Sequence, residues 1–229
     1  LEFRRVLFRS LETYPVIASA LGVPVAGLSA RAASEAAVEA VRALARDVQI
    51  PARLREVGVR RLLHMSALHA AADAPSHYLR TKARGEEVVH SVEHTAFHVT
   101  SFRPSVIFGP QDSFINRFAQ LLRVSPMFFP LACPNSRFQP VYIEDVVSAF
   151  VQSLDDHRTF GQRYDLCGPK VYTLQELVSY VAAQIGVRRK IIGLNDRLSK
   201  LQAACFEFVP GKPFSLDNYG SLQVDSVCE

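Results

Sequence analysis

Cysteine is scarce and scattered in this 229-residue chain: Cys133, Cys167, Cys205 and Cys228 form no C-x-x-C pair. That spacing argues against a zinc ribbon, a redox dithiol motif or a disulfide framework. It fits a reducing cytoplasm, with Cys133, Cys167 and Cys205 as small buried hydrophobes. Long apolar runs are absent too. None approaches the ~18–20 residues that cross a bilayer, so no transmembrane segment is expected. Residues 1–10 place Arg4, Arg5 and Arg9 among Phe and Leu without the apolar middle and small-residue cleavage site of a signal peptide, and residue 1 is not Met. They read as an unstructured leader unrelated to the rest of the chain. A one-sided basic face is also lacking. The formal charge is +4 and the pI near 9.0, but Lys and Arg are spread along the chain, as on a solvated mixed-charge surface. Nucleic-acid binding is not expected. What is there is ample core material: 48% hydrophobic against 21% charged residues, the balance of a globular protein.

The chain changes character near residue 58. Residues 11–57 are Ala-rich and helical, with Ala33, Ala36, Ala37, Ala40, Val41, Leu44 and Val48 recurring at i, i+3, i+4 and i+7. Ser29 is the expected N-cap and Pro51 the stop. From Gly58 onward, strands alternate with helices of 10–15 residues, which implies a parallel, helix-covered sheet. The expected strands are 61–68, 97–103, 137–143, 163–166 and 189–192. The expected helices are 76–93, capped by Ser76 or Asp73, then 114–124, 144–154, 173–185 capped by Thr173, and 195–208. Beyond Pro210 and Gly211 the tail reads as irregular.

The string Ser76-His-Tyr78-Leu-Arg-Thr-Lys82 carries the chemistry. On a helix Tyr78 and Lys82 stand one turn apart on one face. A nearby ammonium favours the phenolate, so a tyrosine whose pKa is ordinarily ~10 is tuned towards proton transfer with a substrate oxygen. Twelve residues upstream, Ser66 ends the expected 61–68 strand, from which its hydroxyl would position the same oxygen. Hydride transfer to a carbonyl needs such a trio, because alone it leaves an alkoxide. The spacing by itself also suits a half-exposed Tyr packed under a Lys stem. The strand ending in Arg103-Pro104-Ser105-Val106-Ile107-Phe108-Gly109-Pro110 supplies the context.

Over residues 58–229 the chain resembles extended or atypical short-chain dehydrogenases of the NAD-dependent epimerase/dehydratase type. More closely, it is similar to the family of the nucleotide-binding accessory subunit nine of the alpha subcomplex of respiratory complex I. The strings carrying the resemblance are HMSALHA (64–70), SHYLRTKARGEEVV (76–89), FRPSVIFGPQDSFINRFAQLL (102–122), FQPVYIEDVVSAFV (138–151), GQRYDLCGP (161–169) and PGKPFSLDN (210–218). The resemblance implies Ser66, Tyr78 and Lys82 as the catalytic-type triad. Lys82 would also hold the nicotinamide ribose, and Pro104, Ser105 and Val106 would line the nicotinamide pocket, with Phe108 and Gly109 shaping its wall. The implied cofactor is NAD or NADP, and the implied partners are respiratory-complex subunits. Val141, Tyr142 and Asp145 would brace the substrate side, although they also suit a core and a helix start.

The Gly-rich strand–turn–helix that holds a pyrophosphate is not found before Gly58, where Gly22 and Gly27 stand five apart with no strand before them. Residues 20–59 instead resemble the C-terminal helical region of iron-containing alcohol dehydrogenases, without that family's metal ligands. The expected fold is therefore α/β: the C-terminal half of a Rossmann-like parallel sheet with a small substrate-side subdomain, preceded by an unrelated helical segment. The expected domains are 1–10, 11–57 and a truncated 58–229, joined as a chimera within 54–59. The functions weighed are a weak NAD(P)-dependent oxidoreductase or epimerase, a non-catalytic nucleotide-binding module docked on a respiratory complex, and an inert iron-dependent dehydrogenase fragment. An open sheet edge would invite self-association. Localisation is expected to be cytoplasmic, peripheral at the inner membrane, where Phe206, Phe208 and Phe214 near Lys200 and Lys212 could meet a surface, though a core role suits them better. His90, His94 and His98 with Glu93 do not form H-E-x-x-H and are expected to be solvated or capping, so no metal is expected.

Overall fold

The computed structural model describes residues 24, 27–29, 32, 35, 36, 39, 59–93, 97–209 and 214–228. The chain divides after Val59 into two units. In the first, Ser29 Oγ accepts from the Ala32 amide at 3.2 Å, the expected N-cap, and Ala32, Glu35, Ala36 and Glu39 are helical. The expected leader at 1–10 and the stop at Pro51 lie outside the described residues, as does the join expected within 54–59 apart from Val59.

The second unit opens with strand β1 (Arg61–Met65), helix α1 (His77–Ser91) and strand β2 (His98–Pro104). With β7 (Arg163–Leu166) they form a parallel sheet in the order β1-β2-β7. Both faces of β2 are covered, as parallel sheets require, because its residues alternate between two helices. Phe102 turns to α3 (Ile143–Ser153), where it packs on Phe150 with ring centroids 4.5 Å apart. Ser101 and Arg103 turn the other way, to α1. Helix α1 starts where expected: Ser76 is the N-cap, and its Oγ accepts from the Leu79 amide.

A smaller subdomain follows from α2 (Ile115–Val124), β4 (Phe128–Leu131), α4 (Leu174–Gln184) and β9 (Lys190–Gly193), with β4 and β9 paired in parallel. Its core comprises Leu122, Phe129, Leu131, Phe138, Leu174, Leu177, Val178, Val181 and Ala182. Helix α4 begins with a capping box between Thr173 and Glu176. Two short pairs lie between sheet and subdomain. β3 (Ile107–Phe108) runs parallel to β6 (Val141–Tyr142), and β5 (Arg137–Phe138) antiparallel to β8 (Tyr172–Thr173).

Three expectations are corrected. The strand expected over 137–143 is two pieces, β5 and β6, divided at Gln139-Pro140, because proline has no amide to give a ladder. The tail is not irregular: α5 (Asp196–Phe206) is followed by α6 (Leu216–Ser221), opened by a Ser215–Asn218 capping box. The cysteines are not all small hydrophobes. Cys167 and Cys228 form a disulfide and Cys205 is exposed, so cysteine usage no longer argues for a reducing compartment. Closing a loop across a sequence separation of 61 is worth about 4 kcal/mol by chain entropy.

The sheet is tied to α1 by a buried charge. Glu86 is 3% exposed, and its carboxylate takes Arg103 Nε and Nη2 from β2 and, at 2.7 Å, Arg163 Nε from β7. Burial alone would push the Glu86 carboxyl up. The bonds from Arg103 and Arg163, with the Arg103 charge and the nearby Ser66 hydroxyl, overcome it and hold the group below its ordinary 4.5. One turn further along α1, His90 Nε2 shares Ser101 Oγ with His64 Nδ1, at 2.9 and 3.2 Å. A hydroxyl has one proton to donate, so with both rings neutral one ring accepts from Ser101 and the other donates to it. Burial lowers both histidines below 6.5.

Because folding favours neutral His64 and His90, their contribution is complete above 6.5 and falls away as pH drops through 6.5 towards the folded values. Glu86 contributes above 4.5 and is lost only as pH falls through its lower folded value. Urea midpoints should therefore fall on acidification from pH 7 to 5 and steepen below. Glu86→Gln should cost about 3 kcal/mol at pH 7, since two arginines lose their counter-charge; a cost under about 1 kcal/mol would reject the clamp. Glycine gives a second measurement. A Cβ on Gly168 would stand 1.8 Å from the Pro140 carbonyl oxygen, whereas at Gly186 (φ +71°) it meets nothing within 4 Å. Gly168→Ala should cost more than about 3 kcal/mol, by clash with backbone, and Gly186→Ala about 1 kcal/mol, by backbone strain alone.

Candidate active site

Helix α1 runs back along the sheet, so its first turns lie at the strands' C-terminal ends, where β1 gives way to Ser66 and β2 to Ser105. Tyr78, Lys82, Glu86 and His90 follow one another every four residues along the face turned to the sheet. Exposure falls along that ridge: Tyr78 is 46% exposed, Lys82 half-buried and Glu86 buried. The structure thus brings Tyr78 and Lys82 together, with Lys82 Nζ 6.0 Å from the centre of the Tyr78 ring.

The ammonium is not free to tune the phenol. Lys82 Nζ donates to the Met65 carbonyl at 3.0 Å, which ties the side chain to the end of β1. Burial pushes the Tyr78 phenol above its ordinary 10.0, contrary to the expected lowering, and pushes the Lys82 ammonium below 10.5. Both shifts have one physical cause: each charged form loses water on burial.

Ser66 is 2% exposed and its amide bonds the Phe102 carbonyl at 2.7 Å. Its Oγ makes no hydrogen bond of ordinary geometry, with Tyr78, Lys82 or any other group. It is nonetheless close enough to Glu86 to help hold that carboxylate low. The hydroxyl thus lies beside the Glu86 clamp without a hydrogen bond of its own.

Pro104, Ser105 and Val106, the residues expected to line a nicotinamide, lie at and just past the end of β2. The Pro104 carbonyl accepts from the Leu68 amide, the Ser105 amide donates to the Leu166 carbonyl, and the Val106 carbonyl accepts from the Val141 amide. Ser105 Oγ is engaged as well, donating to the Ser226 carbonyl at 2.7 Å. Pro104, Ser105 and Val106 therefore stand beside the α1 ridge, yet their polar groups are shared with neighbouring chain. Phe108 and Tyr142 pack with ring centroids 5.4 Å apart, and Val141 is buried, so β3 and β6 wall this region.

Of the histidines, His98 stacks on Phe160 at 4.0 Å and His90 belongs to the clamp, while His94 lies outside the described residues. Phe206 is partly buried, whereas Phe208, just past the end of α5, is 88% exposed. The residues that sequence reasoning missed are Glu86, Arg103 and Arg163. A signal existed: Glu86 and His90 continue the Tyr78–Lys82 spacing on a face where apolar residues are the rule. Asp217 was missed as well. Its carboxylate accepts from the His77 and Tyr78 amides at 2.5 and 3.2 Å, and nothing in the sequence joins positions 140 residues apart.

Comparison with known proteins accords with this arrangement. The chain is 31% identical over 172 residues to the mitochondrial NADH dehydrogenase [ubiquinone] 1 alpha subcomplex subunit 9 of Arabidopsis thaliana, covering 74% of this chain and 42% of the relative. It is 37% identical over 129 residues to the mouse protein of the same name, covering 56% and 33%. The chain thus spans less than half the length of these relatives. Over 50 residues, 22% of this chain and 13% of the relative, it is also 58% identical to lactaldehyde reductase of Escherichia coli. Among solved structures it is similar to an NADPH-dependent quinone oxidoreductase of Escherichia coli, with TM-score 0.56 and 17% identity over 74% of this chain and 59% of that one. It is likewise similar to the Thermus thermophilus UDP-glucose 4-epimerase solved with NAD, with TM-score 0.51 and 17% identity over 72% and 65%. At such identities these likenesses speak to fold alone, and the fold is the Rossmann-like one of short-chain-dehydrogenase epimerases. The 3-beta hydroxysteroid dehydrogenase/isomerase family matches residues 62–190, from β1 to β9, and it is to this family that the chain belongs.

Proposed function

We propose that this chain is an NAD(P)-binding, short-chain-dehydrogenase-like module of the complex I accessory-subunit type, which holds its dinucleotide weakly and turns over little or no substrate. The observation that carries the reading is the state of the α1 ridge. The Tyr78–Lys82 pair stands in place, but its ammonium is bonded to Met65, its phenol is shifted away from working pH, and the Ser66 hydroxyl sits with Glu86. A general acid works best with a pKa near operating pH and a neighbour that positions the substrate oxygen, and this site supports neither.

The residues still fit a nicotinamide end. Lys82 and the Pro104–Val106 turn stand at the C-terminal ends of adjacent parallel strands, where α/β sheets take their ligands. When bound, a nicotinamide would supply hydride chemistry. What this chain contributes is a donor at Lys82 Nζ and the wall formed by Pro104, Ser105 and Val106. Docking on a respiratory complex is supported by the names of the relatives, which are mitochondrial complex I subunits. Among the described residues no helix is long and apolar enough to cross a membrane. β1 is the outer strand of the described sheet, and a second copy could add there, which would appear as a concentration-dependent mass in light scattering.

Titration of the chain with NADH and NADPH, followed by nicotinamide fluorescence, tests the reading. Binding should be saturable but weaker than about 10 μM. Lys82→Ala should weaken it at least about tenfold, and Tyr78→Phe by less than about threefold, because Lys82 is the donor and the phenol is not used. Sub-micromolar binding would overturn the reading. So would a carbonyl-reduction or epimerisation rate that fell about a hundredfold or more in Tyr78→Phe.

A further inference from the structure

The segment from Ser215 to Cys228 touches the candidate site at Tyr78 and at Ser105. Asp217 caps the first turn of α1, beneath Tyr78. Val224 packs, with Ala71, on the small cluster of Ala67, Ala74 and Leu79. Ser226 donates its amide to the Arg137 carbonyl, and its own carbonyl accepts from the Gln139 amide and from Ser105 Oγ. The Val227 carbonyl lies 2.9 Å from His69 Nε2. The Cys228 amide donates to Gln139 Oε1, and Cys228 Sγ is bonded to Cys167.

The attachment points share a position in the fold. His69 lies in the loop leaving β1, Ser105 directly follows β2, and Cys167 directly follows β7. The segment is therefore a strap laid across the C-terminal ends of all three strands of the parallel sheet, where a ligand of this architecture would lie. Its last five residues are held by these hydrogen bonds, an ion pair between Asp225 and Arg137 at 2.7 Å, one valine contact and a single covalent tie. Cys167 and Cys228 are both partly exposed, so a thiolate can approach their bond.

We propose that Cys167–Cys228 is a thiol–disulfide exchange site that latches this strap, and that a dithiol reductant opens it. The step balances. One thiolate of the dithiol attacks a sulfur of the pair and the Cys167–Cys228 bond breaks, leaving a mixed disulfide. The second thiol then closes a disulfide on the reductant, and two electrons and two protons leave Cys167 and Cys228 as thiols. Opening is local. Helix α6 keeps its own capping box and its Asp217 bonds, while residues 224–228 lose their covalent anchor, so that the remaining ion pair and hydrogen bonds, among them that from Ser105 Oγ to the Ser226 carbonyl, open more readily. That this bares a dinucleotide subsite rests on the function proposed above; the latch itself does not.

Hydrogen exchange read by mass spectrometry on the air-oxidised chain and on the chain in dithiothreitol tests it. Reduction should speed exchange across 224–228 at least about tenfold more than it does across 99–102 of β2. Cys228→Ser should behave as the reduced chain with or without dithiothreitol. Native alkylation should label Cys167 and Cys228 only after reduction, and Cys205 in both states. Unchanged protection of 224–228 on reduction would overturn the latch, and so would equal acceleration across β2, which would mark the disulfide as a staple for the whole unit. Labelling of Cys167 and Cys228 in the oxidised chain would also overturn it. NADPH titration of both states separates the two readings: local opening with no NADPH binding in either state upholds the latch and counts against the dinucleotide reading.

Discussion

A single carboxylate sets the geometry on which the candidate site rests. Glu86 is buried where a free charge would be very costly, and it is tolerated because two strands each send a guanidinium to it. The pairing is stereospecific, since Arg103 presents two nitrogens to one carboxylate. It therefore fixes the rotation of α1 about its axis as well as its distance from the sheet. Apolar contacts alone would tolerate a rotation or a slide of the helix, whereas a forked ion pair does not. Once Glu86 is fixed, Lys82 and Tyr78 follow at one and two turns towards the strand C-termini. The place of the phenol is thus decided eight residues away from it.

The same constraint explains why Tyr78 and Lys82 are brought together and the Ser66 hydroxyl is not. Strand geometry sends alternate side chains to opposite faces, and just past β1 the Ser66 hydroxyl falls to the side of the clamp. There it adds to the polar surroundings of Glu86 instead of reaching the phenol. Lys82, drawn to the Met65 carbonyl, serves as a tie between helix and strand end. Family membership accounts for the shape of this scaffold and for the presence of the motif residues. It does not by itself assign turnover, because function resides in the site and one fold supports many.

Much of the fold was legible because the signals are local. Ser76, Thr173 and Asn195 each cap a helix within a residue of where the sequence placed it, since a side-chain oxygen and an amide three positions on need no tertiary help. The 97–103 and 163–166 strands were legible as short β-like runs in a βαβ alternation. Strands β3, β4 and β8 were not: they are two to four residues long, and partners far along the chain define them. The disulfide escaped for the same reason, as Cys167 and Cys228 are brought together only by the strap's course. Within the site, the Tyr78–Lys82 adjacency followed from helical spacing. The sign of the Tyr78 shift did not, because it depends on what else the ammonium touches and how much water remains.

Helix α1 is held at two levels, and the division has mechanical consequences. Its middle is locked to β2 and β7 by Glu86, while its first turn is capped by Asp217 from the strap. A displacement of the strap would act first on the turn that contains Tyr78, since end effects on a helix die away within about one turn. Lys82 lies beyond that reach, with its own tie to β1, and Glu86 lies further still. The two members of the motif thus answer to different parts of the chain: the lysine to the sheet, the tyrosine to the strap. An arrangement of this kind allows the phenol to shift relative to the ammonium while the sheet keeps its form.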